Sequence, residues 1–551
     1  MKENLVKTVP SSSRRWPAVV ALSGLIAAGL LTGGVISQTS YFWGDGFAKP
    51  SVRTKSQAPL IDASSSDGKR FRASGRLFSG PGGGTQCTAT LVSAPHPVAS
   101  ARALVPTNGH CVRDTLKTNE VVVGEAAPQG WTFTPAYYHD NVTEHRTFAV
   151  ERVAYATMKD TDIAVLELRA TYRDLAKVKV TPRTVSADKP VSGQALRAAH
   201  APVVGVDPGA QFLRLSTCQA KASAVATHEH TWLWKDTTRT DCLGISGGSS
   251  GGVVTTEDGD RLVALLNTVA TPGYLGCGLG RPCEGTATGL VVPRDDTVYA
   301  VPVDRVASCL DPTGLRLDKR GCRLDPGQQV DVVFSGRETQ SQTPGGPARW
   351  DAHVSPAATS QQKYAAFKTG PFGVVDCTDP VGYSRPQPLP PTGLDYTDVL
   401  PTGDRLHVLC AAGGLNAESE TWENSFQYPA YAFARVDNAS PTVPPKLDIA
   451  EYEDSYRVRP EFLLWEITFY EIKYGPRATT DCDDGDGYAP YRRVPISLSK
   501  AEAPWTVCLI GYDNANNATS ATAIPVPSTG VRSSRSVLRL LTLGGLPAPS
   551  R

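Results

Sequence analysis

The sequence has no excess of either charge and no closely spaced cysteine pair, and each absence argues against a class of function. Its 55 basic and 54 acidic residues leave a net charge of +1, which argues against a nucleic-acid partner. No two cysteines follow the Cys-x-x-Cys spacing, which argues against a zinc ribbon or a thioredoxin-like redox site. The 50 glycines and 43 prolines disfavour long helices, so short strands joined by turns are predicted.

What the sequence does contain indicates export. The 12 cysteines are even in number and scattered along the chain, which is typical of a disulfide framework formed in an oxidising compartment. At the N-terminus, basic residues up to Arg15 precede a segment of apolar or small residues at 18–36. Residues 1–45 are therefore predicted to be either a signal peptide or a membrane anchor, and the polar residues 46–70 a flexible spacer. The predicted location is extracellular or periplasmic, with the membrane contacted only through such an anchor.

Three short motifs carry chemistry when they are taken together. His110 stands beside Cys111, Asp162 directly precedes an apolar strand, and Ser250 lies within the segment Gly-Ser-Ser-Gly-Gly at 248–252. A serine hydroxyl is a poor nucleophile at neutral pH, so it needs a base to take its proton and an acid to orient that base. The three residues occur in the order histidine, aspartate, serine, with separations of 52 and 88 residues.

With this order and spacing the chain resembles the trypsin/chymotrypsin-like serine peptidases, and in particular their bacterial branch, from about residue 70 to residue 325. The resemblance implies that Ser250 is the nucleophile, that His110 is the general base and then the general acid, and that Asp162 orients the imidazole. It also implies two packed antiparallel β-barrels, with the three residues in the cleft between them.

Further features are implied by the same resemblance. The backbone N–H groups of Gly248 and Ser250 would form the oxyanion hole, and a disulfide between Cys87 and Cys111 would brace the histidine loop. Members of the animal type carry an aspartate before the nucleophile, which pairs with a new N-terminus after activation cleavage. Ser249 occupies that position here, so activation by that ion pair is not expected.

Substrate preference is predicted from the positions that match the family's specificity pocket. Gly244, six residues before the nucleophile, carries no charge to attract lysine or arginine. Asn267, Thr268 and Val269 lie in the strand that binds the substrate backbone in the family, and Val269 would narrow the pocket where glycine is common. A small or apolar residue before the scissile bond is therefore predicted.

An internal repeat with an offset of 105 residues follows the protease-like part. Each copy starts from a lysine, Lys368 or Lys473, and continues through the same spacing of Gly-Pro, Asp-Cys and Gly-Tyr to a shared Cys-x-x-Gly-x-x-Asn-Ala segment. Turn clusters between short β-rich runs predict β-sandwich modules at 326–440 and 441–528, which resemble fibronectin-III or immunoglobulin-like repeats. Residues 529–551 are predicted to be a loosely ordered tail.

The cysteines other than Cys87 and Cys111 are assigned to the same disulfide framework. Proximity and repeat symmetry suggest the pairs Cys309–Cys322, Cys377–Cys410 and Cys482–Cys508, but connectivity cannot be deduced from sequence alone. The framework is completed by Cys218, Cys242, Cys277 and Cys283.

Several residues have a second interpretation. Asp160 competes with Asp162 for the role of the acid, but only Asp162 directly precedes the apolar strand. Residues 228–230 (His-Glu-His) could suggest metal ligands and are interpreted as a polar loop. The acidic run 481–486 suggests calcium by composition, but its spacing matches no known calcium loop, so it is interpreted as a polar turn. Neither a metal nor a cofactor is therefore predicted.

The sequence as a whole predicts an all-β exported serine endopeptidase with a protease domain at 71–325. Its substrate would be a protein or peptide, cleaved through an acyl-enzyme, and the repeats would hold the enzyme at a surface or on a matrix ligand. The competing hypothesis is an exported adhesion or binding protein whose protease-like domain no longer cuts. Ser249 and the tandem modules keep that hypothesis open, and the sequence does not identify the natural substrate.

Overall fold

The structure is a computed structural model, and it describes residues 58–527 with internal gaps. The gaps are residues 81–83, 114, 230, 259–260, 271–279, 287–288, 292, 328–329, 335–338, 342–346, 358–359, 462–465 and 493. The predicted signal peptide or anchor at 1–45, residues 46–57 of the predicted spacer and the predicted tail at 529–551 therefore lie outside the described residues.

The first part of the described chain is built almost entirely from β-strands. The strands are β1 (Ser74–Ser79), β2 (Thr85–Thr90), β3 (Val92–Ser93), β4 (Arg102–Thr107), β5 (Val121–Ala126), β6 (Thr132–Pro135), β7 (Phe148–Thr157), β8 (Ile163–Thr171), β9 (Arg183–Val185), β10 (Ala195–His200), β11 (Arg214–Glu229), β12 (Trp232–Thr240), β13 (Val253–Thr256), β14 (Arg261–Val269), β15 (Cys283–Thr286), β16 (Gly289–Val291) and β17 (Val298–Pro302). The short helices of the described chain are α1 (Ser66–Arg70), α2 (Tyr172–Lys177), α3 (Asp304–Cys309) and α4 (Glu423–Gln427).

These strands form two barrels. In the first, antiparallel pairs connect the strands in the order β2-β1-β6-β7-β8-β4, with β5 added at β7. In the second, β10, β11, β12, β17, β14 and β13 pair in a closed ring, because β13 returns to β10. The short strand β9 pairs in parallel with β3 and with β14 and so joins the barrels. The predicted double β-barrel is therefore confirmed.

Apolar runs determine which strands lie deepest. Strand β8 begins Ile-Ala-Val-Leu and β14 contains Leu-Val-Ala-Leu-Leu, and these residues are all buried. A continuous apolar run predicts a strand that is covered on both faces rather than on one. Here one face of β8 packs into the first barrel through Leu166, and the other packs between the barrels through Ile163. The catalytic cleft predicted from the sequence would lie along this junction.

Residues 58–70 belong to the segment predicted to be a flexible spacer, yet they pack against both barrels. The N–H of Ile61 donates to the carbonyl oxygen of Leu213 beside the second barrel at 3.0 Å. The N–H of Ala63 donates to the carboxylate of Asp140 beside the first barrel at 3.0 Å, and α1 follows. Polar composition predicted a spacer, but these long-range backbone hydrogen bonds order the segment instead.

The remaining strands follow the barrels. They are β18 (Leu310–Asp311), β19 (Gly314–Leu315), β20 (Val330–Phe334), β21 (Thr339–Gln340), β22 (Ala352–Pro356), β23 (Tyr364–Pro371), β24 (Gln387–Pro388), β25 (Leu394–Tyr396), β26 (Arg405–Gly414), β27 (Ala430–Val436), β28 (Leu447–Glu451), β29 (Ser455–Pro460), β30 (Phe469–Pro476), β31 (Ala489–Pro490), β32 (Ile496–Ser499), β33 (Trp505–Tyr512) and β34 (Thr522–Val526). We call the units built on β20–β27 and β28–β34 the first and the second module.

Each module consists of two small sheets that share one core. In the first module the sheets β20-β22-β25 and β21-β27-β26-β23-β24 enclose a cluster that contains Trp350 and Phe367. In the second, the sheets β28-β29-β32 and β31-β30-β33-β34 enclose a cluster that contains Tyr470 and Leu498. All pairs are antiparallel in these sheets apart from β21 with β27.

The internal repeat forms the same loop in both modules. The ammonium group of Lys368 donates to two backbone carbonyl oxygens of that loop, at 2.9 and 3.1 Å, and lies 5.7 Å from the centre of the Tyr383 ring. Lys473 donates to the carbonyl oxygen of Asp484 at 2.9 Å and lies 5.6 Å from the centre of the Tyr488 ring. The repeated lysine and tyrosine are thus the internal support of the loop that follows them.

Disulfides connect cysteines that are close in the sequence. Within the described residues the bonds are Cys87–Cys111, Cys218–Cys242, Cys309–Cys322, Cys377–Cys410 and Cys482–Cys508. Cys283 is also disulfide-bonded, and Cys277 lies outside the described residues. Several disulfides indicate an oxidising location outside the cytoplasm. No helix of residues 58–527, as far as they are described, has the length and apolar character that a membrane crossing requires.

Candidate active site

His110 lies in a tight loop directly after β4. The side-chain amide of Asn108 donates to the carbonyl oxygen of Asp162 at 2.9 Å, and Cys111 is tied to β2 by its disulfide with Cys87. A Cβ atom at Gly109 would lie 2.3 Å from the carbonyl oxygen of Thr157, so only glycine lets the two segments approach this closely. The loop is therefore held on both sides of the histidine.

Asp162 contacts His110 through both carboxylate oxygens. Its side chain is fully buried, Oδ2 lies 2.6 Å from His110 Nδ1, and Oδ1 accepts the backbone N–H of His110 at 3.0 Å. A carboxylate can only accept, so Nδ1 carries a proton, and in the neutral imidazole Nε2 is then the nitrogen with the lone pair. The imidazole, 29 % exposed, is thus held in the tautomer in which Nε2 can take a proton.

Ser250 belongs to a loop between β12 and β13 that docks on the first barrel. The N–H of Thr88 donates to the carbonyl oxygen of Ser250 at 2.8 Å, and the hydroxyl of Thr88 donates to that of Gly248 at 2.9 Å. The hydroxyl of Thr107, three residues before His110, donates to the carbonyl oxygen of Thr88 at 2.9 Å. Strand β2 therefore brings the serine loop beside the histidine loop.

The hydroxyl of Ser250 has a different partner from the one that the resemblance implies. Ser250 Oγ donates to the carbonyl oxygen of Asn267 at 3.4 Å, and within the described residues it forms no hydrogen bond with His110. Such bonds are often long or poorly aligned before substrate binds, so the geometry is compatible with activation on binding.

The predicted oxyanion-hole amides donate no regular turn or strand hydrogen bond to the residues that the structure describes, unlike their three neighbours. Within residues 248–252, the N–H groups of Ser249, Gly251 and Gly252 each donate to a backbone carbonyl oxygen at 2.9 Å. In the part of the chain that the structure describes, the N–H groups of Gly248 and Ser250 have no acceptor. Gly248 has a φ of +98°, a backbone conformation that favours glycine.

A buried histidine supports Ser249, the residue that replaces the family's aspartate. Ser249 is fully buried, and its Oγ lies 2.9 Å from Nδ1 of the fully buried His200. His200 Nε2 lies 3.3 Å from the hydroxyl of Ser216, which donates to the carbonyl oxygen of Leu243. Burial, helped by the charges of two arginines, lowers the pKa of His200 to about 3, so the imidazole is neutral at neutral pH.

Arg76 supports the segment on which the serine loop rests. Its guanidinium is fully buried and donates to the carbonyl oxygens of Ala201 at 2.7 Å and Gln211 at 2.9 Å. Two residues after Ala201, the N–H of Val203 donates to the carbonyl oxygen of Gly247 at 2.7 Å. Burial lowers the pKa of Arg76 to about 10, which leaves the group charged at neutral pH. The sequence alone gave no sign of this role, nor of that of His200.

The interpretation of residues 228–230 as a polar loop is wrong for the first two of them. His228 and Glu229 end β11 and are buried, because β12, β15 and Phe433 of the first module cover them. Glu229 Oε1 accepts the N–H of Gly280 at 2.8 Å. Burial raises the pKa of Glu229, on which the charges of His110 and Asp162 also act. Residue 230 lies outside the described residues.

Gly244 lies in the loop between β12 and β13 that also contains Ser250, and the other predicted specificity residues lie at the end of β14. A Cβ at Gly244, whose φ is +74°, would lie 2.6 Å from the backbone nitrogen of Ala58. Asn267, Thr268 and Val269 end β14, and the buried Asn267 amide has no partner among the described residues. The segment 271–279 that follows them lies outside the described residues, so their role in specificity stays a prediction.

Residues 87–265 match the family described as the trypsin-like peptidase domain. Among solved structures, the thermostable serine protease AL20 from an extremophilic microorganism is similar, with 18 % identity over 42 % of this chain and 92 % of that chain and a TM-score of 0.28. Protease Anisep from Arthrobacter nicotinovorans has 17 % identity over 42 % and 90 %, with a TM-score of 0.27. An inactivated protease paralogue of the scabies mite has 15 % identity over 45 % and 94 %, with a TM-score of 0.30. No curated protein matches the chain.

Proposed function

Because residues 87–265 form a trypsin-like peptidase domain, we propose that this protein is an exported serine endopeptidase. Its catalytic residues are Ser250, His110 and Asp162. The observation that carries the proposal is the pair of contacts from Asp162 to His110, at 2.6 Å and 3.0 Å, which leaves Nε2 of the imidazole able to act as a base. A domain of this family implies protein or peptide substrates.

In the proposed mechanism His110 Nε2 takes the proton of Ser250 as its hydroxyl attacks the scissile carbonyl carbon. The negative charge that develops on the carbonyl oxygen is stabilised by the N–H groups of Gly248 and Ser250. His110 then protonates the leaving amine, which leaves an acyl-enzyme on Ser250. A water molecule, deprotonated by His110, hydrolyses this ester and restores the serine. Asp162 stabilises the imidazolium at each stage.

We further propose a small or apolar residue before the scissile bond, because Gly244 carries no charge and Val269 would narrow the pocket if it stands where the family has a glycine. The modules are proposed to be fibronectin-III or immunoglobulin-like and to bind a surface or matrix ligand. Residues 1–45 are proposed to direct export, as a signal peptide or an anchor.

The proposal is tested by labelling the full chain with a fluorophosphonate probe and mapping the label by peptide mass spectrometry. An activated serine in an oxyanion hole reacts with such probes, whereas an ordinary surface serine does not. The expected result is one label on Ser250 and none on Ser246 or Ser249 of the same loop. If no label is found while the protein still binds a ligand, the result would favour the alternative, a binding protein with an inactive protease-like domain. The observation that favours this alternative is the 3.4 Å contact of the Ser250 hydroxyl with the carbonyl oxygen of Asn267.

Gly248→Ala is expected to lower kcat/KM by about 10²-fold, because displacing one oxyanion donor costs about that much. The added Cβ would lie 2.6 Å from Val203 Cγ2 and 2.9 Å from the Val203 nitrogen, so the loop must shift. Gly130→Ala is the matched control, since Gly130 has a φ of +94° and nothing within 4 Å of the added atom. Both variants take on backbone strain of about 1–3 kcal/mol. Equal kcat/KM in the two variants would contradict a role of Gly248 in the oxyanion hole.

A further inference from the structure

The first module touches the loop that presents Asp162. This loop, residues 158–162, connects β7 to β8, and we call it the acid loop. Tyr431 of β27 is buried, and its hydroxyl donates to Asp160 Oδ1 at 2.7 Å and accepts the backbone N–H of Asp160 at 2.8 Å. One hydroxyl group of the module therefore holds both the main chain and the side chain of a residue two positions before Asp162.

Tyr431 is itself fixed by the first barrel. The side-chain amide of the buried Asn119 donates to the carbonyl oxygen of Tyr431 at 2.9 Å, and its Oδ1 accepts the N–H of Tyr431 at 2.9 Å. Asn119 thus pairs with β27 as a neighbouring peptide group would. Because both hydrogen bonds are buried, the position of Tyr431 relative to the acid loop is closely defined.

A second residue of the acid loop is held from the C-terminal side. The ammonium group of Lys159, 2 % exposed, lies 2.6 Å from Asp325 Oδ2 and donates to the carbonyl oxygen of Tyr428 at 3.2 Å. Asp325 is the last residue assigned to the protease domain from the sequence, and Tyr428 belongs to the first module. A buried ammonium needs such partners, so the loop and the module are tied together.

Asp160 adopts a conformation that these contacts sustain. Its φ is +61°, which is uncommon for a residue other than glycine. Lys235 of β12 lies 2.8 Å from Asp160 Oδ1 and 4.9 Å from the centre of the Tyr431 ring, so all three groups pack together. Burial alone would raise the pKa of Asp160, but Lys235, Arg305 and Lys159 outweigh it and keep the pKa well below its usual range.

Apolar contacts seat the module on the same surface. Leu233 of β12 belongs to one buried cluster with Leu406, Val408, Tyr431 and Phe433 of the first module. Domains that move against each other typically share smaller and more polar interfaces. The first module therefore lies on the protease domain as part of its packed structure.

We propose that the first module is a positioning part of the active site, in which Tyr431 fixes the acid loop through Asp160 and so sets the position of Asp162 against His110. The inference rests on the proposed peptidase function and goes beyond it, because it gives the module a role in catalysis. Tyr431 and Asp160 are positioning residues, since they act through Asp162 and touch no reacting atom.

The test compares Tyr431→Phe with Tyr396→Phe in the full chain. Both variants remove one hydroxyl from the same module, but the hydroxyl of Tyr396 in β25 donates to Asp398 Oδ2 at 3.2 Å and does not contact the acid loop. We expect Tyr431→Phe to lower kcat at least about tenfold with KM unchanged, because a small displacement of a catalytic group costs rate rather than binding. Tyr396→Phe should keep the kcat of the wild type. Equal kcat in both variants would overturn the proposal.

A second measurement separates this inference from the peptidase proposal. Amide hydrogen exchange over residues 158–163 should be at least about tenfold faster in Tyr431→Phe, because the N–H of Asp160 loses its acceptor. Lys235→Met, which removes a partner of Asp160 at a side chain 38 % exposed, should change exchange and kcat in the same direction. If the wild type shows no hydrolysis, the proposed peptidase function is rejected. The rates of amide hydrogen exchange still test whether Tyr431 positions the acid loop. Unchanged exchange in both variants would reject it.

Discussion

Ser250→Ala is expected to lower kcat by on the order of 10⁶-fold, since removing the nucleophile of a serine peptidase leaves only binding and the oxyanion hole. The thermal midpoint should stay within about 2 °C of the wild type, because the hydroxyl has one long contact, 3.4 Å to Asn267. The measurement is hydrolysis of a peptide substrate selected from a library by the wild type, followed at saturating concentration.

Ser246→Ala is the matched control for this experiment. Ser246 lies in the same loop, and its hydroxyl donates to the carbonyl oxygen of Val204 at 2.9 Å, away from His110. It should retain the kcat of the wild type. If Ser250→Ala cleaved as fast as the control, Ser250 would not be the nucleophile, and the activity would belong to another group or to a contaminant.

Asp162→Asn is expected to lower kcat about 10⁴-fold at neutral pH while the fold is kept. An asparagine that places its NH₂ group opposite His110 Nδ1 would require Nδ1 to accept a hydrogen bond. The proton would then reside on Nε2, where it blocks the transfer from Ser250. The contact at 2.6 Å between Oδ2 and Nδ1 makes this change of tautomer the dominant effect. Steady-state kinetics and the thermal midpoint are measured together.

Asp304→Asn controls for burying an amide in place of a carboxylate. Asp304 is 3 % exposed, and its carboxylate pairs with the guanidinium group of Arg323 at 2.9 Å. It lies far from the histidine loop in the sequence and has no proposed catalytic role. We expect it to change stability but to leave kcat within about twofold of the wild type. A loss of kcat in both variants alike would mean that general destabilisation, and not the tautomer of His110, explains the effect of Asp162→Asn.

The double barrel and the proximity of the histidine and aspartate loops could be predicted because three short motifs resemble those of a known family, and that resemblance implies both. His110 is flanked by a disulfide cysteine, and Asp162 directly precedes a strand whose first four residues are apolar and buried. Each of these features lies within about ten consecutive positions of the chain, so sequence analysis can detect it. The internal repeat was detectable for the same reason, since its lysine and tyrosine occur in each copy at the same spacing.

The supporting contacts could not be predicted, because they join single residues far apart in the chain. Tyr431 and Asp160 are 271 positions apart, and His200 and Ser249 are 49 apart. Neither pair leaves a periodic pattern. Ser249 stands where members of the animal type have an aspartate, yet nothing in the sequence identifies His200 as its partner. The prediction of a polar loop at Glu229 is wrong because it rests on the polarity of the residues, whereas tertiary packing buries Glu229 at the end of a strand.

In each module, a lysine side chain supplies the positively charged group that contacts the repeated loop. In many extracellular proteins, carbonyl-rich loops are held by dissolved calcium, and they loosen when the ion is diluted or chelated. Here an ammonium group attached to the chain donates to the loop carbonyls, at 2.9 Å in each copy. These contacts therefore form when the chain folds, from groups that the chain itself supplies.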